Sequence, residues 1–547
     1  MSFPLSGKDS AWLRITLLLG VMCAAVCFRN PNDFAGLAPI FRYLFFVQDR
    51  PASLVALAVA MVAVVAVDRD GKMQAFLRWV AMHPGWLAAA TLVSSALGAW
   101  FVYHNHPLSM DEYAAYMQSQ IFAAGHLAGQ VPPKLVNELV PVGFQGHFIH
   151  ASRDTGAVAS AYWPGLALVM APFSFAGVPW LCNPVLTALT LLALARLLEE
   201  LVEDVAARGF ALFATVASPV ILINGMSYYG MPLQLLCAVM FTLGMVRGTP
   251  RQMLAAVAWA VLGMMAVNPF PLMLYALPWL IWVFFRMPHP WRKLGLLALA
   301  GLPLALLLGV GWRVFLLGNF HNAGPMHLGS DIGSMLGVFK LPTMSLLLAR
   351  VIALVKLCLW AVPGLPVLAV AAYLYRKKYK WIEIFTASAV ISLAGYLFVP
   401  ADQGHGWGYR YFHAAWLVLP VLAAVALQHI AADPALRQRA YGFAFATCLG
   451  TLALSLPLRV YQVESFISTQ LQQIPARLTG NSRQAVFIDM GCGFYTADLV
   501  QNDPLFRSNE IRLVGNSHAG DAKVATMLGA KPRLVATGPC GRRWLLD

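Results

Sequence analysis

The sequence predicts an all-α, polytopic membrane helix bundle of about thirteen transmembrane helices, with outer-face amphipathic helices and a small α/β domain at the carboxyl end. Three observations predict it. Hydrophobic residues make up 59% of the chain and charged residues 11%, too few charges to cover a water-facing surface. Apolar stretches recur at roughly 20 residues, the length a helix needs to cross a hydrocarbon core, with short polar loops between them. Nor do these stretches alternate, as 294–317 shows. A transmembrane barrel needs strict alternation over about 10 residues per strand, so that class is excluded.

The formal charge of +14 points to topology and not to nucleic acid, because Lys and Arg are dispersed and fall mostly at the ends of apolar runs. Six of the eight cysteines, Cys23, Cys27, Cys182, Cys237, Cys358 and Cys448, lie in or beside apolar segments, where cysteine behaves as a small hydrophobe. Cys492 and Cys540 lie in the polar tail. Residues 1–28 carry a basic residue and an apolar stretch. However, Cys27-Phe28-Arg29 offers no small-residue cleavage pattern, so an uncleaved first helix is expected.

The first spans are 11–28, 52–67 and 85–103, with Arg69, Lys72 and Arg78 in the second turnaround, which makes the amino terminus cytoplasmic. A long outer loop, 104–182, follows. Its segment 162–178 is apolar but broken by Pro164 and Pro172, with Pro179 just beyond. If that segment crossed, Arg376, Lys377, Lys378 and Lys380 would face outside; an interfacial or re-entrant segment keeps them cytoplasmic and is the assignment adopted. The later spans are 183–198, 209–225, 232–247, 252–268, 271–286, 294–317, 361–375, 382–400, 413–430 and 440–457, leaving the carboxyl end outside. The apolar stretch 341–360 contains Arg350 and Lys356, each costing about 2.5–3.5 kcal/mol at mid-bilayer. It is therefore expected to lie in the outer interface with both side chains reaching the headgroups. The membrane domain is thus 1–457. A tail domain, 458–547, begins where composition turns polar, and Gln484-Ala-Val-Phe-Ile-Asp489 followed by Gly491 and Gly493 reads as strand and turn. Because the tail cysteines share a polar domain in an oxidising compartment, Cys492 and Cys540 are expected to pair.

Chemistry concentrates just after the third span, in His104-Asn-His-Pro-Leu-Ser-Met-Asp111-Glu112-Tyr113. Ser109 can cap a helix starting at Met110, and Asp111 and Glu112 suit its positive end. Capping accounts for one acid and poorly for an adjacent pair beside a membrane span.

These residues, with Gly125, then Tyr162-Trp-Pro-Gly165, Ala171-Pro-Phe, Gly177-Val-Pro-Trp, Asn183-Pro, Gly404-His405-Gly-Trp407-Gly-Tyr409-Arg410-Tyr411 and Asp498-Leu-Val-Gln-Asn502-Asp503-Pro504, resemble the GT-C class of membrane glycosyltransferases. That class includes protein O-mannosyltransferases and the aminoarabinose transferases of lipid A. The resemblance spans most of the chain. It departs at the front, where two additional spans precede the acidic pair that many relatives place after their first. It implies an inverting enzyme that transfers a sugar from a polyprenyl-phosphate carrier to an envelope lipid, polysaccharide or protein on the outer face.

Such a reaction needs a carboxylate to take a hydroxyl proton and cationic or hydrogen-bonding groups to stabilise the departing phosphate. Asp111 is the expected base, with Glu112 a supporting acid or a structural cap. Arg410 can bind two phosphate oxygens through its fork, flanked by His405 and Tyr409, though Arg and aromatic residues also form ordinary interfacial belts. Tyr113, Lys134 and Arg153 are further candidates for donor contacts, the last two equally readable as solvated charges. His104, His106, His126, His147 and His150 share the loop without a tight ligand pattern, so no metal or other cofactor is indicated. No Gly-x-x-x-x-Gly-Lys loop occurs, as expected for a lipid-linked donor, and Gly515-Asn-Ser517 lacks the second glycine of a nucleophile elbow. Competing readings are a lipid-linked oligosaccharide ligase or polymerase and a lipid or solute transporter. The gathering of polar groups at one face disfavours the transporter.

Overall fold

A computed structural model describes residues 10–286, 289–320, 340–399, 406–478 and 482–546. The chain forms a helix bundle with two small sheets. Its centre is built from Val205–Ala217, Pro219–Met226, Met231–Arg247 and Val418–Ala432, whose residues are apolar and buried around most of their circumference. Peripheral helices do the opposite. Ala11–Cys27, Pro84–Phe101 and Pro290–Ala305 point Leu18, Val93, Trp100 and Leu299 outward, fully apolar side chains suited to lipid and not to water. Hydroxyls inside the bundle are satisfied locally: Thr187, Thr215, Thr242 and Thr451 each donate to the carbonyl four residues earlier.

Among the described residues, Pro39–Val65, Pro179–Leu201, Pro290–Asn319 and Pro434–Leu471 are long and apolar enough to cross a membrane unbroken. The expected span 209–225 is bent, and the span 85–103 meets a helix in the turnaround before it at a sharp angle. Val205–Ala217 and Pro219–Met226 meet at 51°, and Lys72–Met82 meets Pro84–Phe101 at 82°. Proline stands at each break and removes a helix donor there. The second turnaround is therefore not a loop: Lys72–Met82 is a helix packed on Val205–Ala217 so closely that a β-carbon on Gly209 would lie 1.7 Å from the Leu77 carbonyl oxygen. Gly165–Phe175, the helix within 162–178, has 11 residues, about 16 Å of rise against a hydrocarbon core of about 30 Å. The last helix does not stop at 457 but runs to Leu471, carrying the membrane bundle into the tail without a break.

The assignment of Arg350 and Lys356 to the headgroups is corrected by the structure. Both lie on Met344–Leu359 and face inward. Arg350 donates to the carbonyls of Tyr396 and Val399, each at 2.8 Å. Lys356 Nζ sits 2.6 Å from Asp49 Oδ2, and Arg459 Nη2 sits 2.7 Å from Oδ1 of the same carboxylate, with the Trp360 indole donating to it at 2.9 Å. One fully buried acid thus holds two fully buried bases, and removing different members has unequal consequences. Asp49→Asn leaves two cations facing each other and is expected to cost about 3–5 kcal/mol. Lys356→Met leaves a neutral Asp49–Arg459 pair and should cost clearly less. Thermal unfolding of the purified variants in detergent checks the order.

The tail folds as a four-stranded sheet ordered Glu510–Val514, Gln484–Ile488, Gly541–Leu546, Pro532–Gly538. The first two strands run parallel and the others pair antiparallel, with helix His518–Leu528 leading from Glu510–Val514 to Pro532–Gly538. Gln484–Ile488 is buried throughout, which is why it reads as a continuous apolar strand. Cys492 and Cys540 form the expected disulfide. The sheet does not hang free. Ala485, Phe487, Ile511 and Trp544 share one core with Met110, Tyr113, Met117 and Ile121 of the acidic helix Met110–Ala123.

Candidate functional site

The acidic helix is tied down at its amino end by two carboxylates that do not reach the open cavity beside it. Glu112 is fully buried and accepts from the backbone N–H groups of Leu108 (2.6 Å), Ser109 (3.3 Å) and Tyr228 (3.1 Å). Asp498, from the tail, accepts from the Met110 N–H at 2.6 Å. Both occupy donors that a helix start leaves unsatisfied. Burial pushes the Glu112 carboxyl up to about 8 and the Asp498 carboxyl up to about 7. Of the two roles expected for Glu112, the geometry places it as the cap.

The raised Glu112 carboxyl makes stability depend on pH. A folded protein that binds this proton more tightly than the unfolded chain is most stable below about 4.5, loses that contribution as pH rises, and levels off above about 8. Glu112→Gln should flatten this slope while lowering the melting temperature throughout, because an amide cannot accept from backbone donors on both of its arms. Melting curves between these pH values check it.

Asp111, one residue earlier, turns the other way, into a cavity of about 200 Å³ that it lines with Tyr162, Tyr229, Gln234, Asn268 and Arg410. Its Oδ2 lies 2.9 Å from Arg410 Nη1, and its Oδ1 accepts a short hydrogen bond from the Tyr162 hydroxyl. The guanidinium also lies over the Tyr229 ring, 5.1 Å from its centre. Asp111 keeps a quarter of its side chain exposed and Arg410 about an eighth, so both can be reached from the cavity.

The Trp-Gly-x-Arg segment explains how Arg410 is delivered. The Trp407 indole donates to the Tyr103 hydroxyl at 2.5 Å, and its carbonyl accepts from Asn224 at 3.0 Å. Gly408 has φ of +86°, and a β-carbon there would lie 2.6 Å from Val220 Cγ2, so the turn into Arg410–Ala415 requires glycine. Tyr162 is fixed by its carbonyl, which accepts from the Trp312 indole at 2.9 Å.

The remaining expected residues are placed elsewhere. Tyr113 is buried, and its hydroxyl bonds the backbone of Asn502, joining the acidic helix to the tail. Tyr409 is buried beside Tyr411 and does not line the cavity. Lys134 and Arg153 are exposed on the loop, and neither lines the cavity. His405 lies outside the described residues. Of the loop histidines, His104 bonds Ser468 at 2.9 Å and His150 packs against Phe320. Tyr162, Tyr229, Gln234 and Asn268 were missed as site residues. Only Tyr162 belongs to one of the motifs; single polar residues in an apolar sequence are too common a signal to mark the others.

The helix bundle that carries this carboxylate–guanidinium pair has a GT-C-like fold. Two solved structures share it. One is ArnT from Cupriavidus metallidurans bound to undecaprenyl phosphate, with a TM-score of 0.52 at 12% identity, covering 85% of this chain and 98% of that one. The other is the apo state of the same protein, with a TM-score of 0.50 at 14% identity and the same coverage. No family model and no curated protein sequence matches the chain.

Proposed function

We propose that the protein is a glycosyltransferase that moves a sugar from a polyprenyl-phosphate carrier to a cell-envelope acceptor. The observation that carries this reading is the Asp111–Arg410 pair facing an open cavity. Its support is the likeness in fold to a protein solved with undecaprenyl phosphate. The acceptor hydroxyl gives its proton to the Asp111 carboxylate as its oxygen bonds to the anomeric carbon. The bond from that carbon to the phosphate oxygen breaks on the opposite face, and its electron pair leaves with the phosphate. A single displacement of this kind inverts the anomeric centre. Arg410 binds the phosphate oxygens, where charge accumulates as the bond breaks. Since Arg410 is paired with Asp111 before substrate arrives, a phosphate that draws the guanidinium away also releases the carboxylate to act as base. Donor binding and base activation are then one event.

In this reading 1–457 is the membrane catalytic domain of an inner-membrane protein, the amino terminus is cytoplasmic, and the 458–547 tail stands outside with the cavity. Purified protein incubated with a panel of undecaprenyl-phosphate monosaccharides and envelope extract should release undecaprenyl phosphate in an acceptor-dependent manner. No release from any donor by folded protein would sink the proposal.

A further inference from the structure

A second cleft, of about 470 Å³, lies between the amino-terminal elements around Tyr43 and Gln48 and the last long helix, which presents Gln462, Phe466 and Gln470, with Phe494 of the tail at one end. Its two helical walls, Pro39–Val65 and Pro434–Leu471, are both long and apolar enough to cross a membrane. Val47 and Tyr461, at its rim, are more than half exposed, so the cleft opens sideways onto an apolar surface. The amino-terminal wall belongs to the additional spans that precede the acidic pair.

The lining has an unusual hydrogen-bond balance. No Asp, Glu, Lys or Arg lines it among the described residues. Three of its amides already donate within the protein: Gln48 and Gln462 to each other's backbone carbonyl oxygens at 3.3 and 2.8 Å. Gln470 donates to the carbonyls of Leu108 and Tyr495 at 3.1 and 2.8 Å. Acceptors remain. Gln470 is 98% buried, and its Oε1 has no hydrogen-bond partner, and neither does Gln473 Oε1 at the same wall. A buried acceptor left alone is costly, and a ligand that donates to it recovers that cost. Beside these amides, the Tyr43 ring lies 6.0 Å from Phe466 and 5.5 Å from Phe494, forming an apolar platform.

We infer that this cleft binds the neutral, hydroxyl-rich sugar headgroup of a membrane glycolipid, with hydroxyls donating to Gln470 and Gln473 and the sugar's C–H face resting on the aromatic platform. A phosphate headgroup is disfavoured, because its oxygens would face acceptor oxygens with no cation nearby. Arg459, on the same helix as Gln462, is held by Asp49 and by Gln462 Oε1 at 3.1 Å. An ammonium headgroup could donate but would find no carboxylate to balance its charge. The apolar rim accommodates the acyl chains. This site is separate from the Asp111 cavity, and its occupancy can be measured without any turnover.

The test is titration of full-length protein, in a detergent that carries no sugar, with monoglucosyl diacylglycerol, phosphatidylethanolamine or phosphatidylglycerol of identical acyl chains, read by native mass spectrometry. The glycolipid should bind roughly tenfold more tightly than either phospholipid, the scale of one well-made buried hydrogen bond network. Ser465→Trp, which fills the cleft without removing any side-chain bond within it, and Gln470→Leu, which removes the acceptor, should both abolish that preference. Equal binding of the three lipids, or a preference that survives in either folded variant, overturns the inference. If Gln470→Leu does not fold, Ser465→Trp decides alone.

Discussion

Asp111→Asn is expected to lower turnover by a factor of about 100–10,000, the usual cost of removing a general base, while the protein folds and still binds its donor. The structure sharpens this expectation. Asparagine keeps the volume of the side chain and can still accept from Tyr162, but it no longer holds the Arg410 guanidinium electrostatically. The lost pair is largely buried, so its removal should cost about 1.5–3 kcal/mol, the scale of a hydrogen bond to a charged group. Freed of its carboxylate, Arg410 should hold the donor phosphate at least as tightly as before. A large fall in rate with unchanged or tighter donor binding is therefore the signature. Radiolabelled donor binding and single-turnover transfer, measured side by side, read both quantities. Near wild-type transfer by a folded variant would remove Asp111 from the role of base.

Arg410→Ala should act on both quantities together. In the proposed mechanism the guanidinium contacts the phosphate in the ground state and more strongly as charge gathers on the leaving oxygen, so affinity and turnover should both fall, turnover by about 100- to 1000-fold. Arg410→Lys tests geometry and not charge alone, since an ammonium cannot present two parallel donors to a phosphate and leaves the Tyr229 face less well covered. It should recover donor affinity better than rate. Full recovery of both by lysine would reduce Arg410 to a simple counter-charge.

Some of this was legible from residues and some was not, and the division follows from what each signal depends on. The apolar runs, the acidic pair after the third span, the Trp-Gly-x-Arg segment and the two tail cysteines all signal locally. Each states a need for lipid, a cap, a glycine turn or an oxidising compartment, whatever lies around it. Glu112 and Asp111 show where that local signal ends. Adjacent in sequence and chemically alike, they separate by the direction of their side chains: one is swallowed by the helix start and the other opens to the cavity.

Arg350 and Lys356 mark the same limit from the energetic side. Insertion cost alone puts them at an interface, because the groups that make burial tolerable lie elsewhere in the chain: the carbonyls of Tyr396 and Val399 for Arg350, and Asp49, 307 residues away, for Lys356. Lys134 and Arg153 carry charge in the outer loop yet do not line the cavity, whereas Tyr229, which belongs to no motif, does. By itself, then, the sequence determined that the chain is a lipid-solvated helix bundle with an acidic pair and an arginine placed for chemistry, because hydrophobicity and backbone conformation are properties of short segments. Only the tertiary structure decided which acid faces the cavity, which charges are buried and what braces the acidic helix. Those depend on pairings between segments far apart in the chain, and no local preference encodes which pairings close-packing will select.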